Sequence, residues 1–299
     1  MKPAAFEYHR PESVDEVIEL LESYDDAELL AGNQSLGIVM ANRLATPEHL
    51  IDLSGVDSLS GITVSESAVE IAAMTTHRTI ERSERLKEML PILSEAAGQI
   101  AGPAVRNRGT IGGSIGEADP AGNYPTALAA LGGTLQLRSA AEARSVPIED
   151  YFIAYMFTDL RENEIIEAVS IPREPYPIHR TGMVFVGLKR AAQTWPTVSA
   201  AGIVRVDDPS KTNPIIEIAR VALANAADTP LRIPEAEAVL EGGPLSVAKL
   251  DEITNIVSDS VTPESEMHAD SEFKSEVAGE YAMRAIQSAY DRATDQGKE

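Results

Sequence analysis

The 299-residue sequence contains no cysteine. That absence removes disulfides, thiolate metal sites, iron–sulfur ligation and cysteine nucleophiles from the chemistry this chain can carry, so any redox work must use a borrowed group. Basic residues are scarce too: 25 Lys and Arg face 47 Asp and Glu, a formal net charge of −22. Nucleic acid and anionic membrane both need a basic footprint, and neither is expected as a partner. No run approaches the ~18 apolar residues of a membrane span, and the opening MKPAAFEYHR has no apolar signal core, so a cytoplasmic location is expected. The acids are spread along the chain, with a richer stretch from Glu264 to Glu280, and read as adaptation to a salt-rich cytoplasm that screens their repulsion. His9, His49, His77, His179 and His268 are scattered without an i, i+4 pair, and no metal site is expected.

What is present is enough for two domains of ordinary size. SVDEVIELLESY begins with a Ser13 N-cap, has Glu16 at the capping-box position and sets Val14, Val17, Ile18 and Leu21 on one stripe, which predicts a helix. AELLAG predicts a short buried strand entering a turn, and HLIDLSGV a return to strand. GITVSESAVEIAAMTT predicts two short strands around a turn. The segment from Arg78 to Ile100 is amphipathic and helical, broken by Pro91. YPTALAALGG predicts a helix closed by Gly132 and Gly133. Between Ile171 and Gly182, IPREPYPIHRTG has the composition of a linker. Beyond it, three β-rich segments followed by three helical ones predict an antiparallel meander covered on one side by helices.

Two segments share a design in which glycine turns are followed by small polar residues: LLAGNQSL (29–36) and RGTIGGSIGEADPAG (108–122). A glycine amide can approach an anion closely, and successive amides form a concave nest suited to a pyrophosphate. The hydroxyls of Ser35, Thr110 and Ser114 add donors without charge. Neither segment is the Gly-x-Gly-x-x-Gly fingerprint that opens a helix after a strand.

The stretches AGNQSLGIVMANRLATPEHLIDLSGV (31–56), IAAMTTH (71–77), GTIGGSIGEADPAGNYP (109–125), EIIEAVSIP (164–172), ALANAADTPLRIPEAEAVLEG (222–242) and SEFKSEVAGEYAMRA (271–285) resemble the FAD-binding medium subunits of molybdenum hydroxylases, those of the carbon monoxide dehydrogenase and xanthine dehydrogenase kinds. The first segment is similar to that family's Ala-Gly-Gly-His-Ser motif and the second to its Thr-Ile-Gly-Gly-Asn motif. The resemblance implies an α+β protein: a two-lobed FAD-binding fold of the vanillyl-alcohol-oxidase type over 1–175, with lobes of about 1–56 and 57–175, then a flavoprotein C-terminal domain over 179–292. It implies that FAD lies between the lobes, its pyrophosphate held by Ala31, Gly32, Asn33, Gln34 and Ser35 on one side and Thr110, Ile111, Gly112, Gly113 and Ser114 on the other. Lys189 falls where the family often has a lysine near the flavin, or is a strand-end surface lysine. Asn123 stands where relatives carry an aspartate. The departures at Asn33, Gln34, Ser114 and Asn123 are tempered at Asn33, since asparagine tolerates left-handed backbone. Trp195 is expected in a core or at an interface.

The resemblance further implies an electron-transfer subunit that takes electrons from a [2Fe–2S] partner chain and passes them to an external acceptor, with substrate oxidised at a molybdenum cofactor on a large subunit and the three chains paired as a dimer of heterotrimers. No residue of this chain is expected to act as acid, base or nucleophile. Two other readings are a stand-alone flavoprotein oxidoreductase and a cofactor-free scaffold.

Overall fold

The computed structural model describes residues 2–295. The first lobe is a small parallel sheet of β1 (Glu7–His9), β2 (Ala27–Leu30) and β3 (His49–Asp52), in the order β1-β3-β2. Helix α1 (Val14–Ser23) joins β1 to β2, and α2 (Leu36–Ala41) joins β2 to β3. Ser13 caps α1 by accepting from the Glu16 amide at 3.2 Å, worth about 1 kcal/mol, while the Glu16 carboxylate accepts from the Glu12 amide, one residue beyond the N-cap amide of a standard capping box. Val14, Val17 and Ile18 pack against Ile51 on one side of the sheet, and Met40 against Leu30 and Leu50 on the other. A parallel sheet needs both faces covered, and two crossover helices supply that here.

The second lobe is an antiparallel sheet in the order β4-β5-β10-β6-β7. Strands β4 (Ile62–Val64) and β5 (Ala68–Ala72) form the expected pair. Between β5 and β6 (Thr134–Arg138) lie α3 (His77–Arg82), α4 (Glu84–Met89), α5 (Pro91–Gly98), α6 (Pro103–Arg106), α7 (Ile111–Glu117) and α8 (Asn123–Leu131). The segment around Pro91 is interrupted twice rather than once: Ser83 leaves helical geometry to cap α4 through the Leu86 amide. Strand β7 (Ala143–Pro147), α9 (Ile148–Tyr151) and the hairpin β8 (Phe152–Ala154) and β9 (Phe157–Thr158) lead to β10 (Ile165–Pro172).

The C-terminal sheet is the predicted meander, β11 (Thr181–Leu188), β12 (Val198–Val206), β13 (Ile216–Ala224) and β14 (Leu231–Arg232), with α10 (Pro234–Leu240), α11 (Val247–Ser260) and α12 (Ser271–Asp295). Its coverage differs from expectation. Helices cover both faces: Val184, Ala200, Val204 and Val221 face α10, α11 and α12, whereas Met183, Phe185, Ala201 and Ile203 join the core of the second lobe against α5 and α8. The reason is in β12, whose residues 198–204 are all buried, so neither face is left for water. At Gly202 a Cβ would lie 2.7 Å from the Ala285 carbonyl carbon, and glycine is what lets α12 sit directly on the sheet. The linker-like stretch is likewise pinned: Tyr176 is buried and donates to the carbonyls of Ala130 and Leu131 at the end of α8. Among the described residues no helix is long and apolar enough to cross a membrane.

Candidate functional site

The first glycine segment follows β2. Asn33 adopts φ 57°, the left-handed geometry that its side chain tolerates better than most, and the chain turns there into α2. Gln34 folds back so that its Nε2 donates to the Gly32 carbonyl at 2.8 Å. The amides of Gly32, Asn33, Gln34 and Ser35 find no acceptor among the described residues, and all four residues are at least partly accessible. Successive unpaired amides around a left-handed residue form a concave anion-binding surface.

The second segment behaves differently from the open turn that its glycines suggest. Thr110 is the N-cap of α7, and its hydroxyl accepts from the Gly113 amide at 3.1 Å. The Ile111 amide donates to the Thr75 carbonyl at 3.1 Å, the Gly112 amide to Ala73 at 2.8 Å and the Ser114 amide to Thr110 at 3.0 Å. These donors are consumed inside the lobe. Glycine is needed there for packing: a Cβ on Gly112 would stand 2.6 Å from the Ala73 Cβ.

The fold does bring the two segments together. A Cβ on Gly32 would lie 2.6 Å from the Gly109 Cα, one on Gly113 would lie 3.3 Å from the Ala31 Cβ, and the Ser35 hydroxyl donates to Glu117 at 2.6 Å. Arg108, whose backbone backs Gly32, is exposed and makes no ion pair among the described residues. Burial pushes the Glu117 carboxyl up, with Asp119 adding to the rise against the Ser35 hydrogen bond. Behind Gly109 sit His77 and Tyr124, ring centroids 5.3 Å apart. The His77 Nδ1 and the Tyr124 hydroxyl are both buried without a partner among the described residues. Burial, helped by Arg106, lowers the His77 pKa to about 4, so its ring is neutral at neutral pH.

Asn123 and Lys189 do not join this cluster. Asn123 is buried at the start of α8 and donates to the Ala96 carbonyl at 2.9 Å, which ties α8 to α5. Lys189 is half-buried past β11, with its ammonium on the Gln99 carbonyl, and burial and the Arg106 charge press its pKa down. Trp195 is 57% exposed, so it is not a core residue. Arg108, Glu117, His77 and Tyr124 were not singled out from sequence as ligands; the only signal was that Arg108 and Glu117 bracket the second motif.

Residues 4–174 match the family model described as the FAD binding domain in molybdopterin dehydrogenase, and residues 184–289 match the CO dehydrogenase flavoprotein C-terminal domain. The chain belongs to this family of FAD-binding dehydrogenase subunits. It is 35% identical over 294 residues to the carbon monoxide dehydrogenase medium chain of Afipia carboxidovorans, covering 98% of this chain and 99% of that one. It is 28% identical to the xanthine dehydrogenase FAD-binding subunit of Escherichia coli O157:H7, over 94% of this chain and 95% of that one. A solved chain of carbon monoxide dehydrogenase from Hydrogenophaga pseudoflava superposes with a TM-score of 0.92 at 36% identity, covering 98% and 99% of the two chains. The family's cofactor is FAD, and the residues present fit it: a dinucleotide needs free donors for its pyrophosphate, and the open amides of Gly32–Ser35 offer them.

Proposed function

We propose that this chain is the FAD-carrying electron-transfer subunit of a molybdenum-containing hydroxylase or dehydrogenase complex. Electrons would arrive from iron–sulfur clusters on a small partner chain and leave to an external acceptor, with substrate oxidised at a molybdenum cofactor on a large subunit and the assembly a dimer of heterotrimers. The carrying observation is the unpaired amide run Gly32–Ser35 in a chain without cysteine, donors for a flavin dinucleotide and no thiolates for iron–sulfur clusters.

When bound, FAD supplies the redox chemistry. The chain's own residues hold and surround it. In this reading the amides of Gly32, Asn33, Gln34 and Ser35 bind the pyrophosphate, the exposed Arg108 next to Gly32 offsets charge, and Ser114 on α7 supplies a further hydroxyl. Thr110, Ile111, Gly112 and Gly113 act as the buttress that fixes the first turn. Ala31 packs against Gly113, and Lys189 and Asn123 set the approach of α5 and the C-terminal domain. Neutral His77 adds no second positive charge beside the buried Arg106. The acid surplus fits a salt-rich cytoplasm and a halophilic source.

The test is to express the chain alone and with its partners. The isolated, flavin-loaded chain should accept electrons from a reduced [2Fe–2S] protein yet show no turnover with carbon monoxide, aldehydes or purines. Substrate turnover by the isolated chain would replace this reading with a stand-alone oxidoreductase. A folded chain that takes up no FAD, alone or in the complex, would replace it with a scaffold.

A further inference from the structure

His9 and His49 meet because β1 and β3 run parallel, with Glu7 paired to His49 and His9 to Ile51. Side chains two apart on a strand share a face, so Glu7, His9 and His49 project together. His9 Nε2 lies 3.0 Å from His49 Nδ1, and Glu7 Oε2 lies 3.8 Å from that same nitrogen. One ligand atom from each residue falls within 4.8 Å of the others. Tyr24, just past α1, stacks on both imidazoles, its ring centroid 3.8 Å from His49 and 5.0 Å from His9, and so limits their movement. Both histidines are half-buried while Glu7 is exposed, which leaves a side open for entry. The surroundings are acidic: Asp26 holds the Glu48 amide at 3.2 Å next to His49.

We propose that Glu7, His9 and His49 bind a divalent first-row cation of the zinc type. Two imidazoles and a carboxylate are the nitrogen and oxygen donors that such an ion prefers, with water in a fourth position. An ion about 2.0–2.1 Å from both nitrogens would hold them about 95° apart at their present separation, and parting them by ~0.3 Å brings the angle to tetrahedral. Binding selects the tautomers in which both facing nitrogens are unprotonated, and the rings pivot slightly on Tyr24 to aim their lone pairs at the ion. The site lies at the far end of the sheet from the glycine turn, since His49 pairs with Ala27 whereas Leu30, which enters that turn, pairs with Asp52. Its role is to staple β1 to β3, which are 40 residues apart in sequence at the two histidines.

The experiment uses untagged, flavin-loaded full-length protein, stripped with chelator and titrated with Co2+ as a spectroscopic probe. One Co2+ per chain should bind with visible ligand-field bands, be displaced by Zn2+ and raise the melting temperature. His49→Asn and His9→Asn should each weaken binding roughly tenfold or more with circular dichroism and flavin absorbance unchanged, and Glu7→Gln should weaken it less. His179→Asn should leave it untouched. Absence of binding at sub-millimolar Co2+ or Zn2+, or undiminished binding in His49→Asn or in the doubly substituted His9→Asn/His49→Asn chain, overturns the site.

Discussion

Gly32 rests on Gly109: a single added carbon at Gly32 would stand 2.6 Å from the Gly109 Cα and 2.7 Å from the Arg108 carbonyl carbon. Both neighbours are backbone and cannot rotate away. Gly32→Ala should therefore part the two segments, cost about 1–3 kcal/mol in urea unfolding and release bound flavin, read as lost absorbance after gel filtration. Unchanged flavin content in the folded variant would mean that the cradle lies elsewhere.

Asn33 at φ 57° makes a graded prediction. Asn33→Gly should keep stability near wild type, because glycine adopts that geometry freely, whereas Asn33→Val should lose about 1–2 kcal/mol and weaken FAD. Equal stability of the two variants would show that the left-handed turn is not required.

Glu117 bears on cofactor affinity through charge. Its carboxyl, raised above the ordinary carboxylate value mainly by burial, becomes an anion beside the proposed pyrophosphate as pH rises through that raised pKa. FAD binding should weaken by roughly threefold to tenfold as pH rises through the raised Glu117 pKa, and Glu117→Gln should bind more tightly at high pH and flatten that dependence. A titration by flavin fluorescence that is pH-independent in the unsubstituted chain would remove Glu117 from the site.

His77 bears on stability. Its pKa is lowered from 6.5 to about 4 in the folded state, so the unfolded chain takes up a proton first as the solution is acidified. The stability is fully present above pH 6.5 and is lost as pH falls from 6.5 towards about 4. The loss reaches roughly 3 kcal/mol, from about 1.4 kcal/mol per unit. Urea midpoints at neutral and acid pH should show this slope, and His77→Gln should reduce it.

Much of this protein was readable from the chain because the signals are local. The Ser13 cap and stripe specify α1, alternation marks β6, and Gly132 at φ 66° ends α8. Asn33 announced its own turn, since backbone tolerance is a property of the residue. The quoted motifs carried the family, and with it the FAD and the two-part architecture. Hydrogen-bond pairing and burial are not local, and there the reading diverged. Nothing in GTIGGS says that the amides of Ile111 and Gly112 are taken by Thr75 and Ala73, because those acceptors come from the turn after β5. Nothing in VSAAGIVRV says that its second apolar face meets α5 and α8 of another lobe. What the sequence determined by itself was the longer helices and the C-terminal meander, the turn at Asn33, the lack of thiolates and the family. What only the tertiary structure decided was which amides stay open, that Asn123 ties α8 to α5, and that His9 and His49 meet, because parallel pairing and sheet-on-helix contact join residues that sequence distance keeps apart.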